Sequence, residues 1–277
     1  MYETAYSSLT SPAAVSAVLA ELGVRPSRGL GQNFLVDAAA VDPSEPVLEI
    51  GPGLGTVTGA LLARGARVTA VEKDRRLAGW LRKRFGKESA FTLVEADMLD
   101  CAAGQLPGAP FGAVVSNLPY RDGSRILVNL LREPVRPKRM VLTVQKEVAA
   151  RLAARPDTRE YGLLSLWTTL YYHVRQLRTV GPRCFFPVPA VASGIVHLAA
   201  LPGPGPDSDT AARYVDLTRA AFRHRRKQLA GIVRAAEVDW PLDEAQCRDW
   251  LTIRGLEPDA RPGVLSPADW LALAEMG

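Results

Sequence analysis

Ten consecutive residues constrain the fold of this chain more than any others: Val47-Leu48-Glu49-Ile50-Gly51-Pro52-Gly53-Leu54-Gly55-Thr56. The opening apolar run suits a buried parallel strand. It breaks into a turn with glycine at every second position, and Val57-Thr58-Gly59-Ala60-Leu61-Leu62-Ala63 then has helical composition. Strand, glycine turn and helix form the opening unit of a nucleotide-binding α/β fold, because glycine lets the backbone approach a ligand where a Cβ would clash. The spacing is G-x-G-x-G, not the G-x-G-x-x-G of dinucleotide enzymes, and the acid Glu49 stands just before Gly51. Both details favour S-adenosylmethionine (SAM) over NAD. Taken alone, the turn also fits a tight structural connection.

Strands and helices alternate regularly along the next hundred residues. Strands are predicted at 47–50, 66–72, 91–97, 111–117 and 138–144, with helices at 56–64, 75–85, 124–131 and 145–154. Such alternation predicts a Rossmann-like α/β fold, a parallel sheet with helices on both faces. A helix is expected ahead of it at 11–22, a helix and strand at 162–172 and 174–180, and a last strand at 194–200. Leu201-Pro202-Gly203-Pro204-Gly205-Pro206-Asp207 reads as a linker. Beyond it the pattern turns helical, at 210–236, 242–254 and 267–275. Two domains are therefore expected, a SAM-binding catalytic one over 1–201 and a small all-α one over 207–277.

With 277 residues, 47% hydrophobic and 23% charged, the chain is globular rather than disordered. No apolar run reaches membrane-spanning length, and the start of the chain lacks the pattern of a secretory signal. Cys101, Cys184 and Cys247 are odd in number and widely separated, so they suggest neither a disulfide framework nor a metal site and point to a reducing cytoplasm. A net charge of +5 permits a polyanionic partner without requiring one.

Ligands of a doubly wound sheet bind beyond the carboxyl ends of its strands, so the polar residues there are informative. Glu72 ends the second strand about 20 residues past the glycine turn, where a carboxylate accepts from both ribose hydroxyls. Asp97 ends the third strand and is placed to accept from an adenine amine, with Met98 against the ring. A helix cap is the plainer alternative for either acid. The fourth strand ends in Asn117-Leu118-Pro119-Tyr120. This matches the D/N-P-P-Y/F-type motif of enzymes that methylate exocyclic amines. The lone pair of such an amine is delocalised into the ring. An Asn carbonyl and a backbone carbonyl, each accepting one N–H, favour a pyramidal nitrogen whose lone pair points at the methyl donor. Proline aims the backbone carbonyl, and tyrosine stacks on the extruded base. The alternative is an ordinary β-turn.

On these residues the chain resembles the ribosomal RNA adenine N6-dimethyltransferase family, its bacterial small-subunit branch in particular. The likeness extends through Gly31-Gln32-Asn33-Phe34-Leu35, Val144-Gln145-Lys146-Glu147-Val148, Phe185-Phe186-Pro187-Val188-Pro189 and Ala221-Phe222-Arg223-His224-Arg225-Arg226-Lys227. It implies SAM-dependent dimethylation of two adjacent adenosines near the 3′ end of small-subunit rRNA, by a cytoplasmic monomer acting on the small-subunit precursor. Asn33, Leu35, Gly51, Gly53, Glu72, Asp97, Met98 and Asn117 would hold the cofactor. Asn117, Leu118, Pro119 and Tyr120 would hold the target adenine. Phe185 would offer a second stacking face, although a core aromatic fits its sequence context as well.

Arg219, Arg223, Arg225, Arg226 and Lys227 cluster on the expected first helix of the all-α domain and suit phosphate contact, the alternative being a solvated face. Three departures from the family pattern stand out. The 37–47 segment is short, Ala190 and Ala192 replace a usual lysine and aspartate, and Arg121-Asp122-Gly123 follows the Asn117 motif where relatives often show Asn-Ile. Other readings are a large-subunit methylase conferring macrolide resistance, an assembly factor with weak or no catalysis, and, more distantly, a nicotinamide dehydrogenase.

Overall fold

The computed structural model describes residues 42, 44–185 and 188–277. The expected helix at 11–22, the stretch carrying Asn33 and Leu35, and most of the short segment before Val47 lie outside them. Five strands come first: β1 (Pro46–Ile50), β2 (Arg67–Glu72), β3 (Phe91–Glu95), β4 (Ala113–Asn117) and β5 (Arg139–Gln145). Between and after them run α1 (Thr56–Leu62), α2 (Arg75–Phe85), α3 (Gly123–Arg132) and α4 (Lys146–Leu152). With β6 (Tyr172–Val180) and β7 (Ser193–Ala200) they make a seven-stranded sheet in the order β3-β2-β1-β4-β5-β7-β6.

The first five strands pair in parallel, whereas β7 lies antiparallel to β5, Gln145 opposite Ser193 and Arg139 opposite Ala199. An all-parallel sheet is thus corrected to a mixed one. β7 returns from the edge strand β6 rather than through a single crossover helix, the connection that a parallel pair requires. Chain order reverses between β1 and β4, which is the switch point where such sheets open a crevice.

Burial explains the strand compositions. Val47, Leu48 and Ile50 of β1 are buried, as are Val114 and Val115 of β4 and Met140 and Leu142 of β5, because helices cover the strands. Some helices start where the sequence provides a side-chain cap. The Asp74 carboxylate accepts from the amides of Arg76 and Leu77 at the start of α2, and Leu77, Ala78, Leu81 and Phe85 form its buried face.

Backbone contacts divide the chain into two compact units. One runs through Ala149 and takes up Arg175–Ala200; the other comprises Ala150–Val174 and Leu201–Gly277. The helical unit therefore includes a segment that a single cut near residue 201 leaves with the sheet. It contains α5 (Leu163–Thr169), α6 (Ser208–Arg223), α7 (Leu229–Arg234), α8 (Glu244–Ile253) and α9 (Pro267–Glu275). Leu166 of α5 is buried with Tyr214, Leu217, Leu229, Leu251 and Trp270, so this segment completes the helical core. The helix expected over 210–236 is two helices, interrupted at 224–228. The turn lets Leu217 and Ala221 before it, and Leu229 and Val233 after it, face one core.

Candidate active site

Three glycines open the site, and they do different things. Gly51 (φ 66°) and Gly53 (φ 61°) adopt the left-handed backbone that non-glycine residues resist. The Gly51 amide donates to the Val71 carbonyl at 2.9 Å, which anchors the turn to β2. Gly55 (φ 79°) shares that left-handed backbone and meets a packing demand as well: a Cβ there would lie 2.4 Å from Cε2 of Phe85 and 2.9 Å from Cδ2 of Leu81, so glycine lets α1 meet α2.

Glu72 ends β2 and is buried. Its Oε2 accepts from the Gly53 amide at 3.1 Å and its Oε1 from the Asp74 amide at 2.9 Å. Each carboxylate oxygen keeps further acceptor capacity, so the group is oriented without being saturated. Burial raises its pKa and the backbone donors oppose that rise. Asp97 does two jobs: its Oδ1 caps a short 3₁₀ turn through the Leu99 amide at 3.0 Å, while the residue also lines the cavity with Met98. The cap and the ligand contact, set against each other by sequence reading, are compatible on different oxygens.

Glu49 is 2% exposed and its Oε2 accepts from the Thr58 hydroxyl at 2.6 Å. Burial pushes its carboxyl up to about 8, against the pull of Thr58 and helped by the charge of Glu72. An acid whose pKa rises on folding binds its proton more tightly when folded. Its contribution to stability is therefore full below the ordinary carboxylate range and is lost as pH rises toward about 8. Glu49→Gln is expected to flatten the fall in melting temperature of the cofactor-free protein between about pH 5 and 8. Parallel profiles for variant and parent would mean that Glu49 does not titrate in this window.

At the end of β4, Asn117 lines the cavity. The Ser116 hydroxyl donates to the Ile50 carbonyl at 2.6 Å and ties β4 to the glycine turn. The Leu118 amide donates to the Thr143 carbonyl at 3.1 Å, and the Pro119 carbonyl accepts from Asp122 at 3.1 Å and Gly123 at 2.7 Å, so the motif bends tightly into α3. Leu118 itself is buried and is not among the residues lining the cavity. Tyr120 is half-buried, lines the cavity and hydrogen-bonds through its hydroxyl to that of Ser193 at the start of β7. Burial raises its pKa.

These residues surround one cavity of about 630 Å³, lined also by Lys73, Asp74, Asp122, Gln145, Ala190 and Val191. A volume in that range suits a ligand of cofactor size. Left-handed glycines beside a buried, backbone-held carboxylate fit the ribose and amino-acid parts of SAM. Among the described residues no cluster of side chains suits a metal ion.

Not every candidate gathers here. Phe185 is 2% exposed and is not among the residues lining the cavity. The basic cluster also differs from its expected arrangement: α6 ends at Arg223, and Arg225, Arg226 and Lys227 occupy the turn after it. Arg225 donates to the carbonyls of Thr158 and Arg159, both at 2.7 Å, and so anchors a loop of its own unit. Arg219 pairs with Asp216 and lies over the Trp167 ring, and Arg223 pairs with Glu237 at 3.7 Å. Arg226 and Lys227 are exposed. Sequence reading named Asp122 only as a departure from the family pattern and gave no role to Ser116, Ser193 or Lys73, of which Ser116 and Lys73 each flank a recognised site residue.

A family model described as ribosomal RNA adenine dimethylase matches residues 30–275. The chain is 38% identical over 276 residues to ribosomal RNA small subunit methyltransferase A of Opitutus terrae, covering 95% of this chain and 97% of that protein. It is 37% identical to the protein of the same name from Streptomyces coelicolor, with 96% of each covered. Among solved structures it is similar to the 23S rRNA methyltransferase ErmE, at TM-score 0.67 and 28% identity over 88% of this chain and 99% of that one. A dimethyladenosine transferase from Plasmodium falciparum shares the fold, with TM-score 0.71 at 23% identity over 96% and 95% of the two chains. Glycine turn, strand-end acids and Asn117 motif thus meet in one cavity within a chain matched nearly end to end, and the chain belongs to the ribosomal RNA adenine dimethylase family as a SAM-dependent methyltransferase.

Proposed function

We propose that this protein transfers methyl groups from SAM to N6 of two adjacent adenosines near the 3′ end of small-subunit rRNA, leaving each dimethylated. The observation that carries the reading is the meeting of Glu72, Asp97, Asn117, Pro119 and Tyr120 around a single cavity at the switch point. Identity to relatives named for the small subunit, 38% and 37%, exceeds the 28% shared with the 23S enzyme.

When bound, SAM supplies a sulfonium methyl already activated for transfer. Glu72 accepts the ribose hydroxyls and Asp97 the adenine amine. The Asn117 side-chain oxygen and the Leu118 carbonyl accept the two N–H groups of the target amine and turn its lone pair toward the methyl. Tyr120, braced by Ser193, stacks on the flipped base. Positioning supplies much of the rate, and no strong base is required. Asn33 and Leu35 are further cofactor contacts in this reading. The enzyme acts as a cytoplasmic monomer, and its three free thiols fit a reducing compartment.

Arg219, Arg223, Arg225, Arg226 and Lys227 form the basic face of the helical unit, and we assign phosphate contact to its exposed members, Arg223, Arg226 and Lys227. The test is transfer of labelled methyl from SAM to unmethylated small and large subunits side by side, with the modified bases identified. Dimethyladenosine on the small subunit alone is expected; label on the large subunit overturns the substrate. In the same preparation, charge reversal at Arg223 and Arg226 is expected to reduce the slope of log K against log salt by about two. An unchanged slope would leave that face merely solvated.

A further inference from the structure

Arg121-Asp122-Gly123, the departure that sequence alone leaves without an account, acquires one in the folded chain. Gly123 fits because a Cβ there would lie 3.0 Å from Cβ of Leu118. Asp122 precedes α3, makes no side-chain capping bond, and its carboxylate is only 14% exposed. It turns instead toward Lys73, whose Nζ lies 3.6 Å from Oδ2 of Asp122 and 3.7 Å from Oδ2 of Asp97. Arg125, one turn into α3, approaches Oδ1 of Asp122 at 3.6 Å. The charges alternate in sign from Asp97 through Lys73 and Asp122 to Arg125. Lys73, Asp97 and Asp122 all line the cavity. The lysine follows Glu72 at the end of β2. It reaches β3 on one side and, past β1, the loop after β4 on the other, so the bridge crosses the switch point.

The two carboxylates hold Lys73 at nearly equal distances, and the consequence falls on Asp97. Its Oδ1 already accepts from the Leu99 amide, so Oδ2 is the oxygen with the greater acceptor capacity for a ligand. That is the oxygen facing Lys73. A lysine wholly given to Asp97 would compete with an adenine amine for it; a lysine shared with Asp122 is drawn toward the loop that carries Asn117 and Tyr120. An uncharged side chain at 122 would have no charge with which to share it.

We propose that Asp122 is a positioning residue that draws Lys73 off Asp97, keeping the Asp97 carboxylate available to the exocyclic amine of the cofactor's adenine and tying that subsite to the methyl-transfer loop. The proposal rests on the reading of this cavity as a SAM site. Its test is calorimetric titration with S-adenosylhomocysteine and with S-inosylhomocysteine, which lacks the exocyclic amine. Asp122→Asn is expected to weaken the adenosyl ligand about two- to fivefold, the range of a part-exposed ion pair, and to leave the inosyl ligand unchanged. Asp122→Ile, which removes the charge with a different side chain, should do the same. In a Lys73→Met background neither substitution at 122 should alter affinity for either ligand. Equal losses for both ligands, a loss that persists without Lys73, or no loss at all would overturn the role of Asp122. Failure of the unaltered protein to bind S-adenosylhomocysteine would overturn the cofactor reading itself, a result distinct from the other three.

Discussion

Asn117→Ala is expected to lower kcat for methyl transfer about 10²–10³-fold, the usual consequence of removing one positioned polar group from a transition state. Asn117 stands at the carboxyl end of β4 on the cavity wall, and the Ser116 hydroxyl fixes that end to Ile50. Removing the Asn117 amide takes away one of the two acceptors that pyramidalise the target nitrogen. The backbone path through Leu118 and Pro119 stays in place, because it is held by Thr143 and by the start of α3. SAM affinity should therefore change little while turnover collapses. Single-turnover transfer to unmethylated small subunits, measured alongside SAM titration, separates the two. Near-normal turnover would remove Asn117 from the mechanism.

The second large effect falls on binding. Glu72→Gln preserves size but replaces one acceptor oxygen with a donor NH₂. The amides of Gly53 and Asp74 now occupy both oxygens, so one of these contacts becomes a donor facing a donor. With charge-assisted hydrogen bonds contributing about 1.5–3 kcal/mol each, SAM affinity should fall on the order of 10²-fold. Folding of the cofactor-free protein should not suffer in proportion, because burial already disfavours the ionised Glu72 carboxyl and the amide escapes that cost. Calorimetric SAM affinity and the melting temperature without cofactor check both halves. Unchanged SAM affinity would show that Glu72 shapes the turn without touching the ligand.

The glycine turn was legible because its requirement is local. A positive φ at Gly51 and Gly53 follows from the chain's own path, and glycine announces it. Gly55 has a positive φ too, but it also meets a demand that sequence does not show, the remote ring of Phe85, thirty residues on, which only packing brings near. The strand-end residues Glu72, Asp97 and Asn117 were readable for a related reason. A period of strand and helix places every strand end on one edge of the sheet, so their convergence follows from topology alone.

The failures have an equally physical origin. Phe185 before a proline turn fits a stacking platform or a core residue, and its burial depends on what lies above it. Five basic residues in nine positions resemble one helical face, but the helix ends at Arg223 so that both flanking segments meet the same core. Arg225 is thereby committed to two carbonyls far away in sequence. The segment Ala150–Val174 looked like a continuation of the sheet domain, whereas its apolar face completes the helical core.

Sequence by itself determined the alternation of the first five strands with their helices, the convergence of their polar ends and the class of cofactor. Each of these follows from periodicity, or from residues whose chemistry acts within a few positions. Tertiary structure alone decided that Glu49 keeps a raised pKa, that Tyr120 is braced by Ser193, and that Lys73 is shared by Asp97 and Asp122. Those outcomes depend on burial and on distances between side chains that are remote along the chain, and neither is defined until the sheet has brought the strand ends together.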